Sequence, residues 1–513
     1  VFAGFLLNPM DSNTYLAKMY QGWRGDWLYT LPYTAEKSQG AYLFLLYIFL
    51  GHLSRLTGIS LLLVFHAARI LAAIAMLIAL HRFCRSVLPV SSQANYATLL
   101  AAFGSGLGWL ALPFGSVTSD FWVAEAYPFL SAYANPHFPL SIALLLWILT
   151  TPAGQPQQGW NELAVCLRQQ GWVALLALLL AVASPFAVVL ALGMLGGMVL
   201  WERVKYGTLL HNPLFIARFA WVALAGLPPL VYDVWVTSID PLLSAWNAQN
   251  QTPSPPLWDL LLSFSPLLIL AVIGGWRYLR DRNNRLDPAL DRWQSWRIPI
   301  AWAALALFLM ILPVSLQRRF ILGFYIPLAV LAVPGLVWLS AGREHRCRIL
   351  AILLFIMLLP TNLMVLLAAR HGAQTLDPQL YLYRDEVQAF QWLRQNARPD
   401  ALVLASPQIG LFIPARTGLR VIYGHPFETV NAQEEEQAVE DFFGGASAPA
   451  ERLAFLDRRG VGFVFYGPRE RALGTLPSLS RLHPIYQAGQ VTVLALLPVE
   501  VVGSRDAWIH VVR

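Results

Sequence analysis

Residues 171–203 read GWVALLALLLAVASPFAVVLALGMLGGMVLWER. About 20 apolar residues in a helix cross the hydrocarbon core of a bilayer. This run is too long for one crossing, and Ser184-Pro185 stands at its middle. Proline removes a backbone donor and clashes with the turn before it. The stretch therefore reads as two short spanning helices joined by a tight turn, and that split governs the threading of everything else.

Working outward, and counting these two, spans are expected near 59–80, 94–115, 136–152, 171–186, 188–203, 212–231, 257–275, 298–315, 320–341 and 348–369. Ala41–Leu50 is apolar, but Gly51, His52, Ser54 and Arg55 follow at once. Half a span of this kind predicts an interfacial or re-entrant helix. With 171–203 split and 41–50 kept from crossing, one set of loops collects Arg82, Arg85, Arg168, Arg203, Lys205, Arg277, Arg280, Arg282, Arg285, Arg292, Arg297, Arg343, Arg346 and Arg348. The opposite loops at 116–135 and 232–256 hold no Lys or Arg. The positive-inside rule then places 8–58, 116–135, 232–256, the Arg318-Arg319 turn and everything after 370 outside a cell membrane. Val1–Leu7 is too short to span and is expected to be the end of a first helix that has lost most of its length, with no cleavable signal peptide in view.

The predicted fold class is mainly α, a polytopic transmembrane bundle of about 10–11 spans with the first one truncated, followed by a small extracytoplasmic α/β domain. Residues 1–369 form the membrane part and 370–513 the outer domain. In the latter, Asp385–Asn396 and Asn431–Phe443 read as helices. Ala401–Ala405, Arg420–Gly424, Val461–Gly467 and Gln490–Leu497 read as short apolar strands, an alternation that argues α/β.

Composition agrees. Of 513 residues, 57% are hydrophobic and 13% charged, roughly half the charge of a soluble domain. The net charge of +7 is dispersed in loops and forms no basic stripe with interleaved aromatics, which excludes nucleic acid as a partner. Cys84, Cys166 and Cys347 are isolated, and the threading sets them at reducing loops, so no disulfide is expected.

Chemistry is sought in the outer loops. Asp11 follows the truncated first helix and stands at the membrane surface. A carboxylate there suits a base that takes a proton from an acceptor hydroxyl; as an alternative it is the N-cap of the next helix. The loop 116–135 and the start of the next span carry Asp120, Glu125, Asn135 and His137. Either Asp120 and Glu125, with His137, hold a divalent cation against a phosphate, or the loop is merely solvated. Arg318-Arg319 opposes the inside-positive pattern; the pair fits bidentate phosphate binding or snorkelling to headgroups. His66 and Arg69 share one helical face within a span, where a structural ion pair is the expected role. Gly104-Ser105-Gly106 and Gly108 look like a phosphate loop, but small residues inside a span more often allow close helix packing. Gly424–Thr429 follows a strand end, either a ligand position or a capped turn. HExxH, GxSxG and Walker A motifs are absent.

The first loop resembles the GT-C class of membrane glycosyltransferases, in particular the branch with the protein O-mannosyltransferases and the lipid A aminoarabinose transferase. The matching residues are Asp11, Tyr15, Met19, Gly25-Asp26-Trp27, Glu36-Lys37, and later Arg319-Phe320 through Pro327. The chain departs from the pattern at Ser12, where Glu is usual, and at Ser38-Gln39, where Pro-Pro is usual. The resemblance implies a polyprenyl-phosphate sugar donor and a glycan, lipid or protein acceptor. It implies Asp11 as base, Arg318 and Arg319 on the lipid phosphate with Tyr15, Lys37 and His137 beside the substrates, and an inverting attack. Asp120 and Glu125 are the candidate metal ligands; no certain cofactor is implied. The acid and the guanidinium are expected to meet in one outward-opening chamber. Two other classes stand against this: a transporter or flippase of a lipid-linked substrate, which should keep its ionisable groups and broken helices near the midplane, and a noncatalytic envelope assembly protein.

Overall fold

A computed structural model of the chain describes residues 1–88, 90–150, 159–281, 296–445, 448–476 and 478–497. It is 68% helical, and the described residues carry one small sheet. Every expected span is occupied by apolar helix. Leu61–Val87, Pro185–Tyr206, Pro213–Ile239 and Glu344–Gln374 are long and apolar enough to cross a membrane. Three more places are bent pairs: Ser91–Phe103 with Gly108–Phe114 at 45°, Trp160–Gln169 with Trp172–Ala183 at 58°, and Leu257–Phe264 with Leu267–Arg277 at 79°. His137–Leu149, Arg297–Ile311 and Tyr325–Leu339 are shorter, at 13, 15 and 15 residues. At 1.5 Å per residue these three run only about 20 Å. The chain is thus a polytopic membrane protein. The break at Ser184-Pro185 falls where the sequence puts it, with Ser184 extended (φ −159°, ψ 94°) between two helices. Arg282, Arg285 and Arg292 lie outside the described residues.

Two compact units form. One comprises Val1–Phe65, Asp233–Gln251 and Arg370–Arg513; the other comprises His66–Tyr232 and Thr252–Ala369. The boundary expected at 369/370 concerns compartment, a different property of the chain.

In the first unit, residues 1–7 form no helix. Phe2 bridges Tyr381 in antiparallel fashion, with Ala3 N–H on the Leu380 carbonyl (2.7 Å) and Leu382 N–H on the Val1 carbonyl (2.8 Å). These sheet-like bonds satisfy backbone groups of the segment. Helix α1 is Pro9–Arg24 and helix α2 is Leu45–Thr57. Helix α2 starts later than expected and runs straight through Gly51, His52, Ser54 and Arg55. Gly51 is a contact point rather than a stop: a Cβ there would lie 1.9 Å from the Met19 carbonyl oxygen, and one on Gly22 would lie 2.0 Å from that of Ile48. The two helices pack backbone against backbone.

The sheet of this unit has strands β1 Leu402–Leu404, β2 Arg420–Val421, β3 Phe463–Tyr466, β4 Leu482–Ala488 and β5 Val491–Leu496. Their order is β2-β1-β3-β5-β4, with β1 parallel to β2 and β3, and β5 antiparallel to β3 and β4. Leu402, Leu404, Ile422, Val464, Val439 and Phe443 centre its core. Strand β4 escaped the sequence reading because Pro484 and exposed polar residues blur its alternation; Pro484 is accommodated at a register shift on an edge strand. The outer edge of β2 is covered by the first loop. Val421 N–H donates to the Pro32 carbonyl (3.0 Å) and Arg420 to that of Ala35 (2.6 Å).

In the second unit the charge of Arg69 is met by the Ala132 and Tyr133 carbonyls, at 2.9 and 3.0 Å. These close the helix Pro128–Tyr133, so the guanidinium acts as a C-terminal cap in place of the expected ion pair. Cys84, Cys166 and Cys347 are buried free thiols within helices.

Candidate functional site

Helix α1 begins at Pro9, whose fixed φ suits the first helical position, and Asn8 is its N-cap residue in the left-handed region (φ 49°). Asp11 therefore sits in the first turn and is not the cap. Its Oδ2 accepts from Asn8 Nδ2 at 2.6 Å, and a negative charge is favoured at this end of a helix. Asp11, Tyr15 and Lys18 follow at i, i+4 and i+7, hence on one face.

Two side chains of the Gly424–Thr429 turn engage that face. His425 lies 3.2 Å (Nε2) from Asp11 Oδ1, and Lys18 Nζ lies 2.6 Å from Glu428 Oε1. Glycine is required where this turn leaves β2, since a Cβ on Gly424 would stand 2.5 Å from the backbone of Gly410 and 2.8 Å from the Tyr33 ring. His425 is almost fully enclosed (3% side-chain exposure), while Asp11 keeps 44% of its side chain exposed. The Phe427 N–H donates to His425 Nδ1 at 3.1 Å. Nδ1 is then a lone-pair acceptor, which assigns the proton to Nε2, pointing at Asp11.

Lys18 is enclosed by aromatic rings, 4.3 Å from the Phe44 centroid, 5.1 Å from Tyr15 and 5.4 Å from Tyr29. Tyr29 donates to the other oxygen of Glu428 at 3.2 Å. Burial, then the Glu428 charge, hold the Tyr29 phenol well above its usual range, so it stays a neutral donor. Tyr15 stacks on Tyr47 at 4.3 Å.

The second unit holds two further clusters. Asp120 is fully buried. Its carboxylate accepts from the backbone N–H groups of Gly106 (3.2 Å) and Gly108 (3.1 Å) and from the hydroxyls of Thr118 (2.7 Å), Thr361 (2.9 Å) and Ser263 (3.3 Å). The glycine segment does cradle an anion, but the anion is a side chain of this protein. A Cβ on Gly108 would stand 2.0 Å from Asp120 Oδ1. Burial pushes the carboxyl upward, while the bonds from Thr118, Thr361 and Gly108 draw it back. A carboxylate surrounded by N–H and O–H donors does not fit a cation. Among the described residues no three His, Cys, Asp or Glu side chains converge on a metal position. The sequence reading of Asp120 and Glu125 as metal ligands is corrected accordingly.

Glu125 instead pairs with the arginines. Its Oε1 lies 3.3 Å from Arg318 Nε and 4.0 Å from Arg319. Arg318 also covers the face of Trp122 at 4.7 Å. The turn Gln317–Ile321 is pinned by Gln317 Oε1 accepting from Ser254 N–H (3.0 Å) and by Arg318 N–H on the Thr252 carbonyl (3.0 Å). Both guanidiniums lie against this one carboxylate, and both side chains are partly exposed, at 20% and 32%.

The remaining expected residues are placed less suggestively. Lys37 is exposed and paired with Asp400 at 2.7 Å in the first unit. His137 is largely buried as the first residue of its helix, against Phe138. The partners of α1, His425 and Glu428, entered the sequence reading only as members of the Gly424–Thr429 turn, with no individual role. Their one visible signal is the position of GHPFET at the end of a parallel strand.

No family model and no curated protein sequence matches the chain. Solved structures do. The Archaeoglobus fulgidus oligosaccharyltransferase tethered with an acceptor peptide containing the NVT sequon matches with a TM-score of 0.52 and 13% identity over 91% of this chain. The Archaeoglobus fulgidus oligosaccharyltransferase AglB in complex with an inhibitory peptide and a dolichol-phosphate gives 0.50 and 12% over 91%. This chain spans 65% and 66% of the length of those two structures. ArnT from Cupriavidus metallidurans bound to undecaprenyl phosphate gives 0.49 and 12%, covering 98% of this chain and 96% of that one. These neighbours are GT-C glycosyltransferases, and the chain shares the fold of the oligosaccharyltransferase structures.

Proposed function

We propose that the protein transfers a sugar from a polyprenyl-phosphate donor to an acceptor hydroxyl at the outer face of the cell membrane. Asp11 accepts the hydroxyl proton, and attack on the anomeric carbon opposite the departing lipid phosphate inverts configuration. Arg318 and Arg319 balance the charge that builds on that phosphate. Tyr15 belongs to the aromatic wall beside the base. The acceptor is a glycan, a lipid or a protein. The dispersed Arg residues on one side of the threading support an extracytoplasmic position for residues beyond 370. The observation that carries the reading is the half-exposed carboxylate of Asp11, held by donors on both oxygens at the start of a helix in a protein with a GT-C fold.

The test is Asp11→Asn in proteoliposomes with a panel of polyprenyl-phosphate monosaccharides, scored by release of polyprenyl phosphate. A base contributes about 10²–10⁴-fold, so a loss of that size with unchanged donor binding is expected, and Arg319→Gln should weaken turnover as well. Turnover unaffected by Asp11→Asn sinks the reading. The three bent helix pairs favour a second reading, movement of the lipid-linked substrate. Transbilayer donor movement that survives Asp11→Asn without any sugar transfer would select it.

A further inference from the structure

The side chain that grips Asp11 comes from 414 residues further along the chain. His425 is buried, and its Nδ1 is occupied by the Phe427 N–H, so the ring is held as the neutral Nε2–H form with its one proton on Asp11 Oδ1. A second tie between the same turn and the same helix face, Glu428 to Lys18 at 2.6 Å, keeps the turn in register with α1. A core histidine can satisfy its proton on any nearby carbonyl. This one spends it on a carboxylate that faces solvent.

We propose that His425 is a positioning residue for Asp11: a neutral donor, supplied by the α/β part of the chain, that fixes the carboxylate rotamer without adding a charge that would suppress its basicity. The proposal rests on the reading of Asp11 as the base for its purpose, and on geometry alone for the bond. A cation on Oδ1 would hold the carboxylate more strongly but make it a poorer proton acceptor. A neutral imidazole orients it and leaves proton affinity in hand. Asn8, another neutral donor, does the same at Oδ2. Besides Asp11 itself, α1 carries Tyr15, Lys18, Tyr20 and Arg24 and α2 carries Tyr47, His52 and Arg55; Tyr29, Tyr33, Arg416, Tyr423, Glu428 and Glu436 are the titratable groups of the segments around the turn. Among them Lys18 is paired with Glu428.

The test does not need the substrate. Full-length protein in detergent is treated with a water-soluble carbodiimide and an amine across a pH series, and modification of Asp11 is read by peptide mass spectrometry, with Asp11→Asn as the blank. Only the protonated acid reacts, so the midpoint reports the carboxyl. Removing a hydrogen bond to the ionised form raises it. His425→Ala should shift the midpoint upward by about one pH unit, and His425→Gln, whose amide reaches the Nε2 position, should restore it. An unmoved midpoint in His425→Ala, or no rescue by Gln, overturns the proposal. If the alanine variant does not fold, His425→Gln is compared with His425→Asn, whose amide reaches only the Nδ1 position; equal midpoints again overturn it. Failure of Asp11 as base would show instead as unchanged turnover in Asp11→Asn, whatever the labelling gives.

Discussion

Asp11 and Asp120 are both aspartates beside the ends of apolar segments, and the sequence reading made both candidates, one as base and one as metal ligand. Asp11 has a donor on each oxygen and keeps 44% of its side chain exposed. Asp120 has backbone and hydroxyl donors converging on it and no exposed surface. A carboxylate whose every direction is occupied organises a fold, and one with an open side is available to a reactant. The two residues belong to different compact units, so each can be perturbed in its own surroundings.

The largest effect separates them directly. Asp120→Asn turns an N–H₂ toward groups that already donate, and a buried acceptor lost in this way should cost about 3–5 kcal/mol. It should read as a large fall in the thermal midpoint in detergent or loss of the monodisperse peak. Asp11→Asn should stay within about 1 kcal/mol of the parent. Equal losses in both would erase the distinction. Next comes Lys18→Met, which leaves Glu428 buried without its partner and should cost about 3 kcal/mol. The double variant with Glu428→Leu should recover roughly half of that, since isosteric apolar replacement of a buried pair is tolerated better than removal of one partner. Additive losses would mean that the two side chains do not depend on each other. Gly51→Ala forces α2 off α1 and should cost about 1–3 kcal/mol. Turnover should fall with it if the seating of α1 matters to Asp11.

The smallest effect is at Lys37. The hydrogen bond from Lys37 holds the Asp400 carboxyl below its usual value. Its contribution is present above the unfolded carboxyl range and is lost as pH falls through the folded value. Both side chains are largely exposed, at 70% and 64%, so Lys37→Met should change stability at neutral pH by less than about 0.5 kcal/mol. A larger fall in turnover than in stability would support the place beside the substrates that the resemblance implies for Lys37.

The ten apolar segments, the break at Ser184-Pro185 and four of the five strands were legible because each rests on local signals: length, proline chemistry and β-branched or aromatic runs. Asp11 was legible through its neighbours in the motif. His425 and Glu428 were not, because their partners lie 414 and 410 residues away and no spacing rule reaches that far. Gly51 misled for a related reason, whereas the close packing expected at the glycines around 106 is met at Gly106, where a Cβ would lie 1.9 Å from the Ser263 carbonyl oxygen. A glycine that stops a helix, one that admits a neighbouring backbone and one that offers its N–H to a carboxylate look the same until the neighbour is known.

The covering of β2 by residues 32–35 has a consequence for how this chain can be cut. A fragment that begins at 370 would carry a parallel strand whose Val421 N–H has lost the Pro32 carbonyl and whose Arg420 guanidinium has lost that of Ala35. Such a bare edge is a template for self-association. At its other side the sheet is protected by the irregularity at Pro484, so the oligomers of a severed C-terminal piece should grow through β2 alone and dissolve when a peptide of residues 26–43 is added back.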